Sequence, residues 1–417
     1  MPAARSSRRI TDTPVATLSD TEAQIDMRAL RAARLARVRA HLKARDYAGC
    51  VLYDPINIRY ATGTRNMTVW CLHNAVRYCF IPTEGPVVLF DFHNCEHLSR
   101  GIETIDEVRP AISWFYFGAG PRLAERAKSW AAEIADLVRA HGGGNTLLAM
   151  DHCDPAGATA LGELGIEVRE GQEILELSRA IKLPDEIGLM NQSIAVCETG
   201  MARMREALEP GMSENELWSI LHQINIAMGG EWIETRLLAS GGRTNSWFQE
   251  SSDRIIRPGD LVSYDTDLIG PFGYCADISR TYFCGPGRPS DEQRRLYRMA
   301  WDQIHHNMDL LKAGVSHREL AEKAFKLPDS CAPNRYSALV HGVGMADEYP
   351  HCAYMEDFDK AYDGVLEASM TVCVESYIGE TGGGEGVKLE QQVLITETGV
   401  ELLSTYPFED ELLVKEI

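Results

Sequence analysis

The chain has no Cys-x-x-Cys pair among its 11 cysteines, an odd number scattered from Cys50 to Cys373. That pattern predicts free thiols in a reducing, cytoplasmic compartment. No run of 18 apolar residues occurs, so no transmembrane helix is expected. The N-terminal MPAARSSRRITDTP is basic but has no apolar segment, so no signal peptide is expected. Positive charge is scarce: 41 Lys and Arg face 61 Asp and Glu, for a net charge of −20. Nucleic acids and anionic membranes are held by Lys and Arg, so neither is an expected partner. The balance suits a cationic ligand. Internal repeats and low-complexity segments are absent as well.

What is present is ordinary globular sequence of 417 residues, long enough for two domains with large cores. Residues 1–20 read as a flexible arm, or one that wraps a partner subunit. Over residues 21–180, strands and helices alternate, which predicts one α/β domain. Asp26–Arg45 is helical in pattern, and Tyr47–Tyr53 reads as a short buried strand. Asp54-Pro55 reads as a turn before Ile56–Tyr60. Val69–Ile81, Val87–Phe90 and Leu147–Met150 are strand candidates, and Leu123–His141 is a helix ended by Gly142-Gly143-Gly144. Ile181-Lys182-Leu183-Pro184-Asp185-Glu186 marks the boundary, with Pro184 in the first turn of a new helix. Residues 181–417 form the second domain, with Ser213 as a helix N-cap. The fold class is therefore α/β (α+β).

Leu261–Phe283 carries the first chemistry. It reads as two short strands joined by the turn Gly270-Pro271-Phe272-Gly273, and it holds Asp265, Asp267 and Asp277. Strand alternation puts Asp265 and Asp267 on one face. Two carboxylates there repel unless a cation lies between them. Solvated acids on an exposed hairpin would explain them too, but Leu261, Val262, Tyr264, Leu268, Ile269 and Tyr282 are too apolar for that. A buried site of oxygen ligands fits better.

The second domain supplies more ligands. His341 is followed by two close glycines in Leu339–Met345. Glu375 ends the apolar run Met370–Val374, and Glu390 sits inside the strand pattern Gly386–Ile395. Each Glu alone could be an exposed strand end. Together, five carboxylates and one imidazole are enough for two divalent ions with bridging carboxylates. Mixed oxygen and nitrogen ligation suits Mn, Fe, Co or Zn better than Ca. No thiolate is needed, so Cys275 and Cys284 read as structural.

These residues resemble the creatinase/prolidase/methionine aminopeptidase family. The resemblance rests on GYCAD-SRT, HGVG, VES and GVKLEQQVL, on Asp54–Tyr60 and on Ile181–Glu186, and it spans nearly the whole chain. It implies a creatinase-like N-terminal domain followed by a pita-bread catalytic domain. The departures bear on function. Family peptidases place their first two metal aspartates eleven residues apart, whereas here Thr266 stands at that distance before Asp277, flanked by Asp265 and Asp267. The second peptidase imidazole after the metal histidine is replaced by Asp347 or Glu348. A further imidazole expected before the hairpin is also missing, where the chain reads Ser246-Trp247-Phe248-Gln249.

That combination is similar to one branch of the family, the dimethylsulfoniopropionate lyases of the DddP type. The branch implies a metal-dependent homodimer that releases dimethyl sulfide and acrylate from a small zwitterionic sulfonium. Its metal ligands correspond to Asp265, Asp267, Asp277, His341, Glu375 and Glu390. Its catalytic acid/base corresponds to Asp347 and its active-site tyrosine to Tyr336. Iron is the implied metal, although Zn, Mn, Co or Ni fit the same ligands. Aromatic faces bind soft cations, which makes Trp70, Trp247, Phe248 and Tyr336 candidate sulfonium contacts. The competing expectation is a prolidase- or creatinase-type metallohydrolase acting on an Xaa-Pro peptide or a small C–N substrate.

Overall fold

A computed structural model describes residues 25–413. The arm expected over residues 1–20 lies outside them. Two compact units divide the chain, one over Asp26–Arg179 and one from Ala180 onward.

The first unit is a six-stranded sheet in the order β4-β3-β2-β1-β5-β6. Its strands are β1 (Gly49–Leu52), β2 (Tyr78–Pro82), β3 (Val88–Asp91), β4 (Glu107–Pro110), β5 (Leu147–Met150) and β6 (Glu167–Glu170). Strands β1, β2 and β3 are buried throughout, which is why they read as largely apolar runs. Helix Leu123–His141 lays Trp130, Ala131, Ile134 and Val138 into the core with Phe80, Phe90 and Leu148. Two local expectations change. Asp54-Pro55 starts a helix, Pro55–Thr62, because the Asp54 side chain accepts from Ile56 N and Pro55 takes the first helical position. The segment expected as a strand over Val69–Ile81 begins as a helix, Thr68–His73, and becomes extended only at β2.

The second unit carries helices Pro184–Ala207, Glu214–Ala227 and Asp291–Leu310. Ser213 with Glu216 and Ser290 with Gln293 form capping boxes at the starts of the latter two. The chain then builds β7 (Trp232–Ile233), β8 (Leu238–Ser240), β9 (Leu261–Tyr264), β10 (Leu268–Ile269), β11 (Cys275–Ala276), β12 (Arg280–Phe283), β13 (Val340–Val343), β14 (Asp347–Cys352), β15 (Thr371–Gly379), β16 (Gly386–Ile395) and β17 (Val400–Leu402). Three sheets result, in the orders β12-β9-β8, β11-β10-β7 and β14-β13-β15-β16-β17.

The longest strands, β15 and β16, are antiparallel and buried along almost their whole length. Alternation splits them into two faces. Val372, Val374, Ile378, Leu389 and Val393 pack with Leu296, Ala300 and Ile304 of the Asp291–Leu310 helix in one core. Burying each such side chain is worth about 1.5–3 kcal/mol. A slip of one residue would exchange these for Glu375 and Glu390, so the apolar face holds the register of the acidic one.

Leu261–Phe283 is not a single hairpin. Its outer parts pair β9 with β12 and its inner parts pair β10 with β11, in two different sheets. Strand alternation therefore stops at Tyr264. Asp267 adopts a left-handed backbone, with φ of 35°. The aspartates share a side because the chain bends there, not because a continuous strand alternates.

Candidate metal centre

Register brings the ligands together. Glu375 of β15 lies directly opposite Glu390 of β16, and His341 of β13 lies beside Cys373, two residues before Glu375. These side chains share the sheet face turned away from the apolar core. The bent segment contributes the rest. Ligand atoms of Asp265, Asp267 and Asp277 lie within 4.8 Å of one another, as do those of Asp265, Glu375 and Glu390. A third such set is Asp277, His341, Cys373 and Glu390. All six residues expected as metal ligands are thus joined in one buried cluster.

The imidazole is aimed. His341 Nδ1 is 3.1 Å from the Gly342 carbonyl, which orients the ring. Nε2 points among oxygens, 3.2 Å from Glu375 Oε1, 3.5 Å from Glu390 Oε1 and 3.7 Å from Asp277 Oδ2. Thr235 Oγ1 donates to Asp267 Oδ2 at 2.5 Å. Ser279 Oγ stands 2.7 Å from Asp265 Oδ1 and 2.8 Å from Glu390 Oε2.

Such a cluster is unstable as bare carboxylates. Like charges directly opposite on paired strands repel. Burial first, and then Glu390, pushes Asp265 up to about 6 and Glu375 up to about 8. Burial and neighbouring acids raise Asp267 and Asp277 well above the usual range. Burial pushes Glu390 up too, but Lys388 and His341 outweigh it and hold that carboxyl low. Asp277 Oδ1 and Glu390 Oε1 are buried acceptors that receive no hydrogen bond. Unfilled acceptors, opposed acids and an imidazole nitrogen aimed among them fit divalent cations.

Lys388 was not singled out from the sequence. Its ammonium is fully buried, 2.7 Å from Glu375 Oε2, 3.2 Å from Asp265 Oδ2 and 3.4 Å from Glu390 Oε2. It also donates to Ser279 Oγ at 2.7 Å. A signal was available, because Lys388 precedes Glu390 by two residues on a strand with no exposed position.

Around the cluster, Asp347 is 61% exposed at its side chain, and its Oδ1 is 3.7 Å from His341 Nδ1. The neighbouring Glu348 is buried in an ion pair with Lys182, which separates the two acids left open by the sequence. His351 stands opposite His341 in the β13–β14 pairing and is exposed. The Lys388 ammonium lies 4.5 Å from the centre of the Tyr336 ring and 6.0 Å from that of Trp247. Trp247 is buried against Tyr377. Phe248 stacks on Tyr336 with centroids 5.3 Å apart, yet 55% of it is exposed. Trp70 belongs to the first unit, where its ring packs on Phe92.

Residues 188–397 match metallopeptidase family M24, and residues 34–169 match the creatinase/prolidase N-terminal domain. A dimethylsulfoniopropionate lyase DddP from Roseovarius nubinhibens is 43% identical over 394 residues, covering 93% of this chain and 88% of that protein. The chain belongs to family M24, on its DddP branch. By that membership it is a lyase. A second DddP, from Roseobacter denitrificans, is 40% identical over the same shares of both chains. The Xaa-Pro dipeptidase of Pyrococcus furiosus is 27% identical, over 57% of this chain and 67% of that protein. Among solved structures, an Xaa-Pro dipeptidase from Bacillus anthracis superposes with a TM-score of 0.74 at 22% identity, covering 91% of this chain and 99% of that one. That likeness concerns the fold, in which this M24 chain has the creatinase-type first unit and the pita-bread second. Divalent-metal binding goes with the family. Among the described residues no helix is long and apolar enough to cross a membrane, and all 11 cysteines are free.

Proposed function

We propose that this chain cleaves dimethylsulfoniopropionate to dimethyl sulfide and acrylate by base-promoted elimination. The observation that carries the reading is the kinship with two DddP lyases over 93% of the chain. The site agrees with it chemically. Asp265, Asp267, Asp277, His341, Glu375 and Glu390 would hold two divalent ions, with iron as the expected metal. Bound there, the ions supply Lewis-acid stabilisation of charge that develops on the substrate carboxylate.

The chain's own groups do the rest. Asp347 accepts the proton from the carbon beside the carboxylate. The freed electron pair forms the C=C bond of acrylate as the C–S bond breaks, and the sulfur leaves with that bond's electrons as neutral dimethyl sulfide. No water attacks, so the imidazoles that serve amide hydrolysis are not required. Its exposed position lets Asp347 return the proton to solvent. Tyr336 orients the substrate at the edge of the cluster, and the aromatic faces of Phe248 and Trp247 offer the soft contact a sulfonium takes. The same reading includes a homodimer working in the cytoplasm.

The experiment is a headspace assay. Purified iron-containing protein is mixed with dimethylsulfoniopropionate, and the gas is analysed for dimethyl sulfide, with an Xaa-Pro dipeptide run in parallel. Dimethyl sulfide with equal acrylate is expected. Dipeptide cleavage without gas would replace the lyase reading with a hydrolase.

A further inference from the structure

Cys373 stands where a metal ligand would stand. It precedes Glu375 by two residues on β15, so both side chains point to the acidic face. The register sets it beside His341 on one flank and Gln392 on the other. Its sulfur belongs to the set in which the ligand atoms of Asp277, His341, Cys373 and Glu390 all lie within 4.8 Å of one another. Cys373 is fully buried, and the contact its thiol makes is a long one, 3.6 Å to the Asp277 carbonyl. Two carboxylate oxygens of the same set, Asp277 Oδ1 and Glu390 Oε1, are buried and accept no hydrogen bond. Transition-metal ions hold nitrogen and oxygen at about 2.0–2.2 Å and sulfur at about 2.3 Å, so their ligands lie within about 4.6 Å of one another. The four side chains, within 4.8 Å of one another, come close to that spacing.

We propose that Cys373 is a sulfur ligand to one of the two metal ions, which makes the pair chemically unequal. This rests on the reading of the cluster as a metal centre. The second set, Asp265, Glu375 and Glu390, offers oxygen alone, and Glu390 is common to both. As the sulfur–metal bond forms, the thiol proton is released to solvent and no electron is transferred. A site with thiolate, imidazole and carboxylate selects Fe(II), Co(II) or Zn(II), whereas the all-oxygen site accepts harder ions such as Mn(II) or Mg(II).

Cobalt(II) reconstitution of the full-length protein tests this. A thiolate on cobalt gives an intense sulfur-to-metal charge-transfer band in the near ultraviolet, which oxygen and nitrogen ligands do not. The band is expected in the wild-type protein and lost in Cys373→Ser, with cobalt still present at the all-oxygen site. X-ray absorption at the cobalt edge of the wild-type protein provides a reading that needs no variant, and a sulfur neighbour at about 2.3 Å is expected. Cobalt bound with no band and no sulfur neighbour would overturn the assignment and leave the metal centre intact. A band that persists in Cys373→Ser would overturn it as well. Failure to bind cobalt at all would overturn the metal reading itself, and this inference with it.

Discussion

The Lys182 ammonium lies 2.5 Å from Glu348 Oε1, with the two side chains 2% and 0% exposed. This pair decides which of two adjacent acids faces the proposed site. Strand alternation sends Glu348 inward to Lys182 and Asp347 outward beside His341. Lys182→Met would remove the ammonium that faces this buried carboxylate, at a cost of about 3–5 kcal/mol. The double variant Lys182→Met/Glu348→Gln removes both charges and should recover most of that loss. Urea unfolding measures it. Equal destabilisation in the single and double variants would show that the pair contributes nothing specific.

Asp347 carries the proton transfer in the proposed reaction without holding a metal. Asp347→Ala is expected to keep the metal content of the wild-type protein and to lower turnover by about 10²–10⁴-fold. Elemental analysis beside the headspace assay separates the two effects. A variant that stays active would remove Asp347 from the mechanism.

Metal removal should make stability depend on pH. In the metal-free cluster, burial and the Glu390 charge raise Asp265 to about 6 and Glu375 to about 8. A carboxyl raised in the folded state contributes stability that is complete below its unfolded pKa, near 4, and is lost as pH climbs through the folded value. The chelated protein should therefore lose thermal stability between about pH 5 and pH 8. Bound divalent ions keep the same groups ionised, so the loaded protein should change less and the gap in Tm should widen as pH rises. A gap that narrows would contradict the cluster's role as a cation site.

Phe248 is a bulky residue with a left-handed backbone, φ of 68°, and more than half its surface exposed. A bulky side chain rarely takes that conformation without support or purpose. It stacks on Tyr336, the ring that lies over the Lys388 ammonium. Phe248→Ala should raise KM for the sulfonium substrate by about two- to fivefold, the weight of one cation–π contact at an exposed position. Turnover at saturation should change less than twofold. Phe248→Leu should behave like the alanine variant and Phe248→Trp like the wild type. A Leu variant with normal KM would show that the contact is packing and not the aromatic face.

Much of this was legible in the chain before folding. Glu375 and Glu390 could each be an exposed strand end when taken alone, and it was their company with Asp265, Asp267, Asp277 and His341 that pointed to a cation site. Two features were not legible. Asp265 and Asp267 converge through a bend with a positive φ, which alternation along an assumed strand does not describe. Strand period sets Lys388 on the face of Glu390 and Cys373 on that of Glu375, but what meets them is decided by pairing across β13, β15 and β16, and a register between distant strands is not written in any one of them.

The sequence by itself determined the inventory: two domains, the acids and imidazole of a metal centre, and the absence of the peptidase imidazoles. The first two follow from residue type and local pattern, because a buried charge and an apolar period are properties of a short stretch of chain, and the third follows from the resemblance to the family. Only the tertiary structure decided the arrangement. It turned Glu348 to Lys182 and left Asp347 exposed beside His341, set Lys388 among the carboxylates, and put the Cys373 sulfur within reach of the same set. Those are distances between strands far apart in the chain, and they exist only once the apolar face of β15 and β16 has locked the register.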